Sequence, residues 1–225
     1  MTKRRSKQSN SHGVPFVPSI KAITSNQQKY IDAIYNNELI LSVGPAGTGK
    51  TWLATSLAAQ QFADGKIDKI ILSRPAIEAA GEHLGYLPGE LEQKFSPYLA
   101  PFIDVLYDRL GQSHVELLLK RKTIEAIPLA YMRGRTFRDC WVILDEAQNT
   151  SPSQMKMFLT RAGENCKLII NGDTTQKDIK GLDGLSDAVI RLREFPNTSI
   201  IRFEKQDVVR SGLVKRILDV YDDIK

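Results

Sequence analysis

The run Gly44-Pro45-Ala46-Gly47-Thr48-Gly49-Lys50-Thr51 constrains the chain more than any other stretch of its 225 residues. It reads G-x-x-x-x-G-K-T and directly follows the apolar run Leu39-Ile40-Leu41-Ser42-Val43. A buried strand that feeds a glycine loop and then a helix lets successive backbone N–H groups converge on an anion. Gly44, Pro45, Ala46, Gly47, Thr48 and Gly49 are the expected cradle for nucleotide phosphates. Lys50 is expected to reach the β- and γ-phosphates, and the Thr51 hydroxyl to ligate Mg²⁺. A helix starting at Lys50 would aim its positive dipole end at the same anion.

Further apolar runs share the character of the first: Lys69-Ile70-Ile71-Leu72-Ser73, Trp141-Val142-Ile143-Leu144, Lys167-Leu168-Ile169-Ile170 and Ser199-Ile200-Ile201-Arg202-Phe203. They are continuous rather than alternating, as strands are when helices cover both faces of a parallel sheet. Helices are expected over 26–34, capped near Ser25 or Asn26, and over 50–63. Another is expected over 152–162, with Pro152 in its first turn and Gly163 closing it. The alternation gives an α/β fold with a doubly wound, mostly parallel sheet. Residues 75–138 interrupt it with segments punctuated by Pro88, Pro97 and Pro101 and a helix expected over 98–110. So long an interruption reads as an inserted helical and loop segment, or a substrate-facing surface.

The net charge of +5 is unevenly placed. Six basic side chains and no acid fall in residues 1–31, leaving 25 basic against 26 acidic residues in the remainder. Residues 1–21 therefore read as a basic, Ser/Asn/Gln-rich disordered tail, and 22–225 as the folded domain. No apolar stretch approaches a membrane span and no signal-peptide core is present, so a cytoplasmic protein is expected. Cys140 and Cys166 each open an expected buried strand and read as packed thiols. His12, His83 and His114 have no partners at ligand spacing, so no metal cage is expected beyond Mg²⁺.

The third apolar run ends in Asp145-Glu146. An acid at the carboxyl end of a strand beside the loop can hold the Mg²⁺ water shell, which is the expected role of Asp145. Glu146, immediately after it, can orient and deprotonate a water that attacks the γ-phosphate. The pair favours nucleotide hydrolysis over transfer to a small-molecule hydroxyl. The fourth run ends in Asn171-Gly172-Asp173-Thr174-Thr175-Gln176, where Gln176 could sense the γ-phosphate.

The glycine loop, Asp-Glu-Ala-Gln and Gly-Asp-x-x-Gln, in this order, resemble the first RecA-like domain of superfamily-one helicases. Longer blocks resemble the PhoH family more narrowly, among them Ser73-Arg74-Pro75-Ala76-Ile77-Glu78, Tyr131-Met132-Arg133-Gly134-Arg135-Thr136 and Ile143-Leu144-Asp145-Glu146-Ala147-Gln148-Asn149. Leu84-Gly85-Tyr86-Leu87-Pro88-Gly89 and Asp207-Val208-Val209-Arg210 belong to the same pattern, and the resemblance covers residues 24–223. It implies ATP binding with Mg²⁺, ATP hydrolysis, and a link to RNA. Gln27 matches a family position resembling the helicase glutamine that reads adenine, although Gln28 could serve instead. Where family members often have Val-Arg-His, this chain has Val209-Arg210-Ser211, so no histidine role carries over.

Superfamily-one helicases close ATP between two RecA-like domains, and 225 residues hold only one. A homo-oligomer, such as a ring, is therefore expected, with a neighbour's arginine completing each site: Arg210 first, Arg161 and Arg202 behind it. Arg74 after the second run, and Arg133, Arg135 and Arg138 interleaved with Tyr131 and Phe137, are the candidate contacts to single-stranded nucleic acid. The expected function is an ATPase coupled to single-stranded nucleic acid, RNA ahead of DNA. The alternative is an ATP-gated assembly or adaptor protein with slow hydrolysis and no helicase activity.

Overall fold

The computed structural model describes residues 19–75 and 91–209, with Gly212 and Val220. Most of the basic tail, the block Leu84–Gly89 and Arg210 lie outside the described residues. Six strands form one sheet: β1 (Leu39–Val43), β2 (Lys69–Ser73), β3 (Ile124–Ala126), β4 (Cys140–Leu144), β5 (Cys166–Gly172) and β6 (Thr198–Arg202). Their order is β3-β2-β4-β5-β1-β6, and every pair is parallel. The helices are α1 (Ser25–Asn36), α2 (Lys50–Ala63), α3 (Leu91–Leu110), α4 (Gln112–Lys120), α5 (Pro152–Leu159) and α6 (Gly184–Arg191). Among the described residues no helix is long and apolar enough to cross a membrane.

Two cores sandwich the sheet. Ile40, Ile70, Ile143 and Ile169 point to one face, where they meet Leu53 and Leu57 of α2 and Phe102 and Leu106 of α3. Leu41, Ile71, Val142 and Ile170 point to the other, against Met155 and Phe158 of α5 and Leu185 of α6. Successive strand residues alternate between these faces and both are buried, which is why the runs are apolar throughout.

Differences from the sequence reading have identifiable causes. β3 lies inside the stretch expected to be an insertion, yet it pairs in register with β2, Ile70 opposite Ile124. Three residues carry too little pattern to announce a strand. Its Glu125 takes a 2.6 Å hydrogen bond from Lys69 and accepts from Arg135 Nη2 through both oxygens, charges that blunt the edge strand of the sheet. Burial pushes the Glu125 carboxyl up, but hydrogen bonds from Lys69 and Arg135 outweigh it and leave it below the ordinary carboxylate range. Helix α3 begins at Leu91 rather than 98 and contains both Pro97 and Pro101. Each proline removes one N–H from the helical ladder. The buried stripe Leu99, Phe102, Leu106 and Leu110 nevertheless keeps the helix on its neighbours.

Helix α5 starts as read, with a capping box between Ser151 and Gln154 and proline in its first turn, but it ends at Leu159. Arg161 seals that end by donating from Nε to the Met157 carbonyl (3.0 Å) and from Nη1 to the Arg135 carbonyl (3.1 Å). Gly163 caps nothing; its N–H donates to Phe137 O at 2.8 Å, and a Cβ there would lie 2.8 Å from the same oxygen. Cys140 and Cys166 face each other across β4 and β5 as free thiols, with sulfurs 3.9 Å apart.

Helix α1 is fastened at both ends. Thr24 accepts from the Gln27 N–H at its start. The Lys167 ammonium donates to the Ile34 carbonyl at its other end and lies 5.1 Å from the centre of the Trp141 ring. Burial pushes the Lys167 ammonium down to about 8 from an ordinary 10.5, with Glu38 opposing weakly. Between those two values the unfolded chain binds the proton that the folded chain has released, so this lysine makes stability rise with pH there. Lys167→Met removes that rise, read by urea unfolding at pH 7.5, 9 and 10.

Candidate nucleotide and catalytic site

The glycine loop leaves β1 between β5 and β6, at the carboxyl edge of the sheet where open α/β folds place their ligands. Gly47 (φ 80°) and Gly49 (φ 86°) take left-handed conformations that side chains resist. Gly44 (φ 149°) is fixed by backbone and by space together, since a Cβ there would stand 2.4 Å from Phe203 O and 2.7 Å from the Phe203 Cβ. Outer contacts hold the loop's shape. Gln27 Nε2 donates to Thr48 O at 3.0 Å, and the Val209 N–H donates to Gly47 O at 2.9 Å. Asn26 and the Glu204 N–H both donate to Asp207, 2.8 Å each, joining those two flanking segments.

Inside the loop, the buried Lys50 ammonium donates to Gly44 O (2.6 Å), Pro45 O (2.7 Å) and Thr48 Oγ1 (3.2 Å). These partners are all neutral. Burial pushes the Lys50 pKa down, and Asp145, Asp173 and Glu146 only partly restore it. A cation so desolvated fits a polyphosphate better than it fits three uncharged oxygens.

Thr51 Oγ1 donates to Asp145 Oδ1 at 3.0 Å, which unites the two expected magnesium residues. One hydroxyl and one buried carboxylate, completed by phosphate oxygens and water, suit the hard octahedral shell of Mg²⁺. Among the described residues no group of three or more His, Cys, Asp or Glu forms another candidate.

Glu146 adopts φ 56°, ψ 37°, left-handed geometry uncommon for a side-chain-bearing residue. It begins a 3₁₀ turn, Ala147–Asn149, and its carboxylate accepts from Gln148 Nε2 at 2.7 Å. Gln148 also donates to Gln176 O (3.2 Å) and accepts from the Asp173 N–H (3.0 Å). One carboxamide thereby ties Glu146 to the loop that carries Gln176. The three residues line a cleft of about 410 Å³ with Arg74 and Asn149. Nothing in the sequence reading gave Gln148 a task, although it is the last letter of Asp-Glu-Ala-Gln. Asp173 accepts from Thr175 N–H and Oγ1 through Oδ1, while its buried Oδ2 has no hydrogen-bond partner among the described residues.

Of the two glutamines considered for adenine, Gln27 is buried against the loop, its Oε1 accepting from the Ile23 N–H at 2.7 Å. Gln28 is exposed and donates to Asp32.

The basic candidates divide. Arg74, expected to contact a nucleic-acid backbone, turns inward: Nη2 (2.5 Å) and Nε (3.2 Å) both donate to Asp145 Oδ2. The cause is a buried carboxylate one strand away and the Phe102 ring 5.3 Å beneath the guanidinium. Arg135 is committed to Glu125 and lies 5.0 Å from the centre of the Phe137 ring. Phe137 is buried and offers no face to a base. Arg135 and Arg138 line a second cavity with Lys69 and Cys140, at the amino ends of β2 and β4 and away from the glycine loop. Arg133 and Tyr131 are exposed, and so is Arg202 at the end of β6. Arg161 is occupied by the end of α5.

A glycine loop between β1 and α2, with acids closing the next strand but one in an all-parallel sheet, defines a RecA-like P-loop domain. The solved structure of the large terminase from a thermophilic bacteriophage shares this fold, with a TM-score of 0.55 at 12% identity over 88% of this chain and 50% of that one. The chain belongs to the PhoH-like protein family, which it matches over residues 19–222. It is 52% identical over 206 residues to the PhoH-like protein of Bacillus subtilis, covering 91% of this chain and 64% of that protein. To Protein PhoH of Escherichia coli K12 it is 48% identical over 206 residues, covering 90% of this chain and 58% of that protein. The chain thus spans about three fifths of the length of these relatives.

Gly172 tests the packing around Gln148, because a Cβ on it would stand 2.6 Å from Gln148 Oε1 and from Leu185 Cδ2. Gly172→Ala is expected to lower stability by about 1–3 kcal/mol. Gln148→Ala leaves the buried Asp173 N–H without its acceptor, at a cost of about 1–3 kcal/mol. Urea unfolding of both variants checks these values.

Proposed function

We propose that this chain is a Mg²⁺-dependent ATPase whose turnover is coupled to single-stranded nucleic acid, RNA ahead of DNA. The observation that carries the reading is the Thr51–Asp145 hydrogen bond, which sets a magnesium-competent pair between a desolvated Lys50 and a constrained Glu146. Backbone N–H groups of Gly44–Thr51 hold the phosphates, Lys50 bridges the β- and γ-oxygens, and Thr51 with Asp145 holds the metal. Bound magnesium supplies charge neutralisation at the β–γ oxygens. Glu146 orients the attacking water and takes its proton, and Gln148 fixes the Glu146 carboxylate. Gln176 senses the γ-phosphate. Gln27 is proposed to read the adenine edge with the donor and acceptor capacity its carboxamide has beyond the bonds to Thr48 O and the Ile23 N–H, which would favour ATP over GTP.

The nucleic-acid part rests on the resemblance to helicase first domains and on exposed Arg133 and Tyr131, a cation and a ring suited to phosphate contact and stacking. The oligomer rests on the single RecA-like domain in the chain, with Arg210 proposed to reach a neighbour's nucleotide. An ATP-gated assembly protein would share the binding site but would not be stimulated by RNA.

The test is steady-state phosphate release with Mg²⁺ and ATP, with and without single-stranded RNA or DNA, across salt and protein concentrations. Stimulation by RNA that fades steeply with salt is the expected result. Lys50→Ala is expected to lose nucleotide capture. Glu146→Gln is expected to keep capture and lose about 10²–10⁴-fold in turnover, and full activity in that variant would overturn the base assignment.

A further inference from the structure

Arg74 is the one arginine among the described residues that lines the catalytic cleft, where it stands with Glu146, Gln148 and Gln176. Its guanidinium is nearly buried, with the side chain 16% exposed, and its Nη2 is 2.5 Å from Asp145 and 3.9 Å from Glu146. Two of its five N–H donors, both spent on Asp145 Oδ2, account for the hydrogen bonds it makes among the described residues. The Phe102 ring beneath it is fully buried on α3, a fixed apolar platform over which a planar guanidinium can pivot.

Asp145 is a shared carboxylate. Oδ1 takes the Thr51 hydroxyl and Oδ2 takes Arg74. An Asp145 that also faces a divalent cation has less negative charge to offer Arg74. Two anions then compete for it: the Glu146 carboxylate, 3.9 Å away, and the γ-phosphoryl group that the ATPase reading seats between Lys50 and Glu146. We propose that Arg74 is a cis-acting arginine for ATP hydrolysis: from its seat on Asp145 it donates to γ-phosphoryl oxygens in the transition state. This rests on the ATPase reading above and adds a positive charge from within the same chain to the one proposed from a neighbour's Arg210.

In the step concerned, the water oxygen bonds to the γ-phosphorus as the bridging P–O bond to the β-phosphate breaks. Glu146 takes the water's proton, ADP leaves with the bridging oxygen, and Arg74 transfers no proton. Its contribution is electrostatic and geometric, on oxygens whose charge is being redistributed. Arginines in this role are worth about 10³–10⁵ in turnover.

The test compares wild type with Arg74→Gln and Arg74→Lys by calorimetry with Mg·ADP and with Mg·ADP plus aluminium fluoride, a mimic of the transferring phosphoryl, alongside turnover. Arg74→Gln is expected to bind Mg·ADP within about threefold of wild type and to lose about a hundredfold or more of the tightening that aluminium fluoride brings. Arg74→Lys keeps the charge on the Phe102 platform, so it guards against misfolding; lacking the planar fork, it is expected to lose most of that tightening too. Mixing Lys50→Ala chains with Arg74→Gln chains is expected to restore no activity. Unchanged tightening in both variants, or activity regained on mixing, would overturn the proposal while leaving the ATPase reading intact. A wild-type chain that neither captures nor hydrolyses ATP would instead remove the ATPase reading itself.

Discussion

Everything at the site depends on parallel pairing among three central strands. Leu144 of β4 lies opposite Ile170 of β5, and Gly172 of β5 lies opposite Val43 of β1. The chain leaves all three strands at one edge, so the loop after β1, the acids after β4 and the turn after β5 converge there. A register slip of one residue on β4 would turn its core-facing residues to the opposite face and carry Asp145 away from Thr51. The apolar cores on both faces oppose such a slip, because Val142 and Ile143 must each find their own side.

The same edge collects charge that the fold must keep in balance. Lys50 and Arg74 stand around the loop with Asp145, Glu146 and Asp173, several of them buried, so two cations face three carboxylates and the charges offset each other only in part. Isolated, any buried one of them would be costly to hold. Together they form a set whose pairings can be exchanged when a polyanion arrives. The Asp173 oxygen that lacks a hydrogen-bond partner among the described residues and the strained backbone at Glu146 are departures from relaxed structure, and both sit within this set.

Most of the architecture was legible because a doubly covered parallel sheet writes itself as unbroken apolar runs. β1, α2 and β2 lie where the pattern put them, to the residue, since the glycine loop punctuates the chain sharply there. The edge strand β3 escaped because three residues paired on one side need no pattern. Helix α3 escaped in its first turns because Pro97 and Pro101 argue locally against a helix that packing nevertheless supports. Candidate site residues followed the same division. Thr51 and Asp145 came together as motif spacing implied, each fixed by the end of a strand or the start of a helix. Arg74 went elsewhere because a long flexible side chain is placed by its tertiary partners, Asp145 and Phe102, which sequence order does not reveal. Gln148 stayed unassigned for the same reason: its three partners come from two different strand ends.

The contacts from Gln27 and Val209 onto Thr48 O and Gly47 O give the anion cradle two external struts, drawn from near the two ends of the described residues and braced together through Asn26 and Asp207. Among the described residues, these flanking contacts bear on the cradle's shape more than on the hydrophobic interior. A fragment cut to 28–203 would retain nearly all the buried apolar side chains seen among the described residues and yet lose both of these outer contacts on the loop. Either flank thus has mechanical access to the glycine loop through a hydrogen bond onto its backbone.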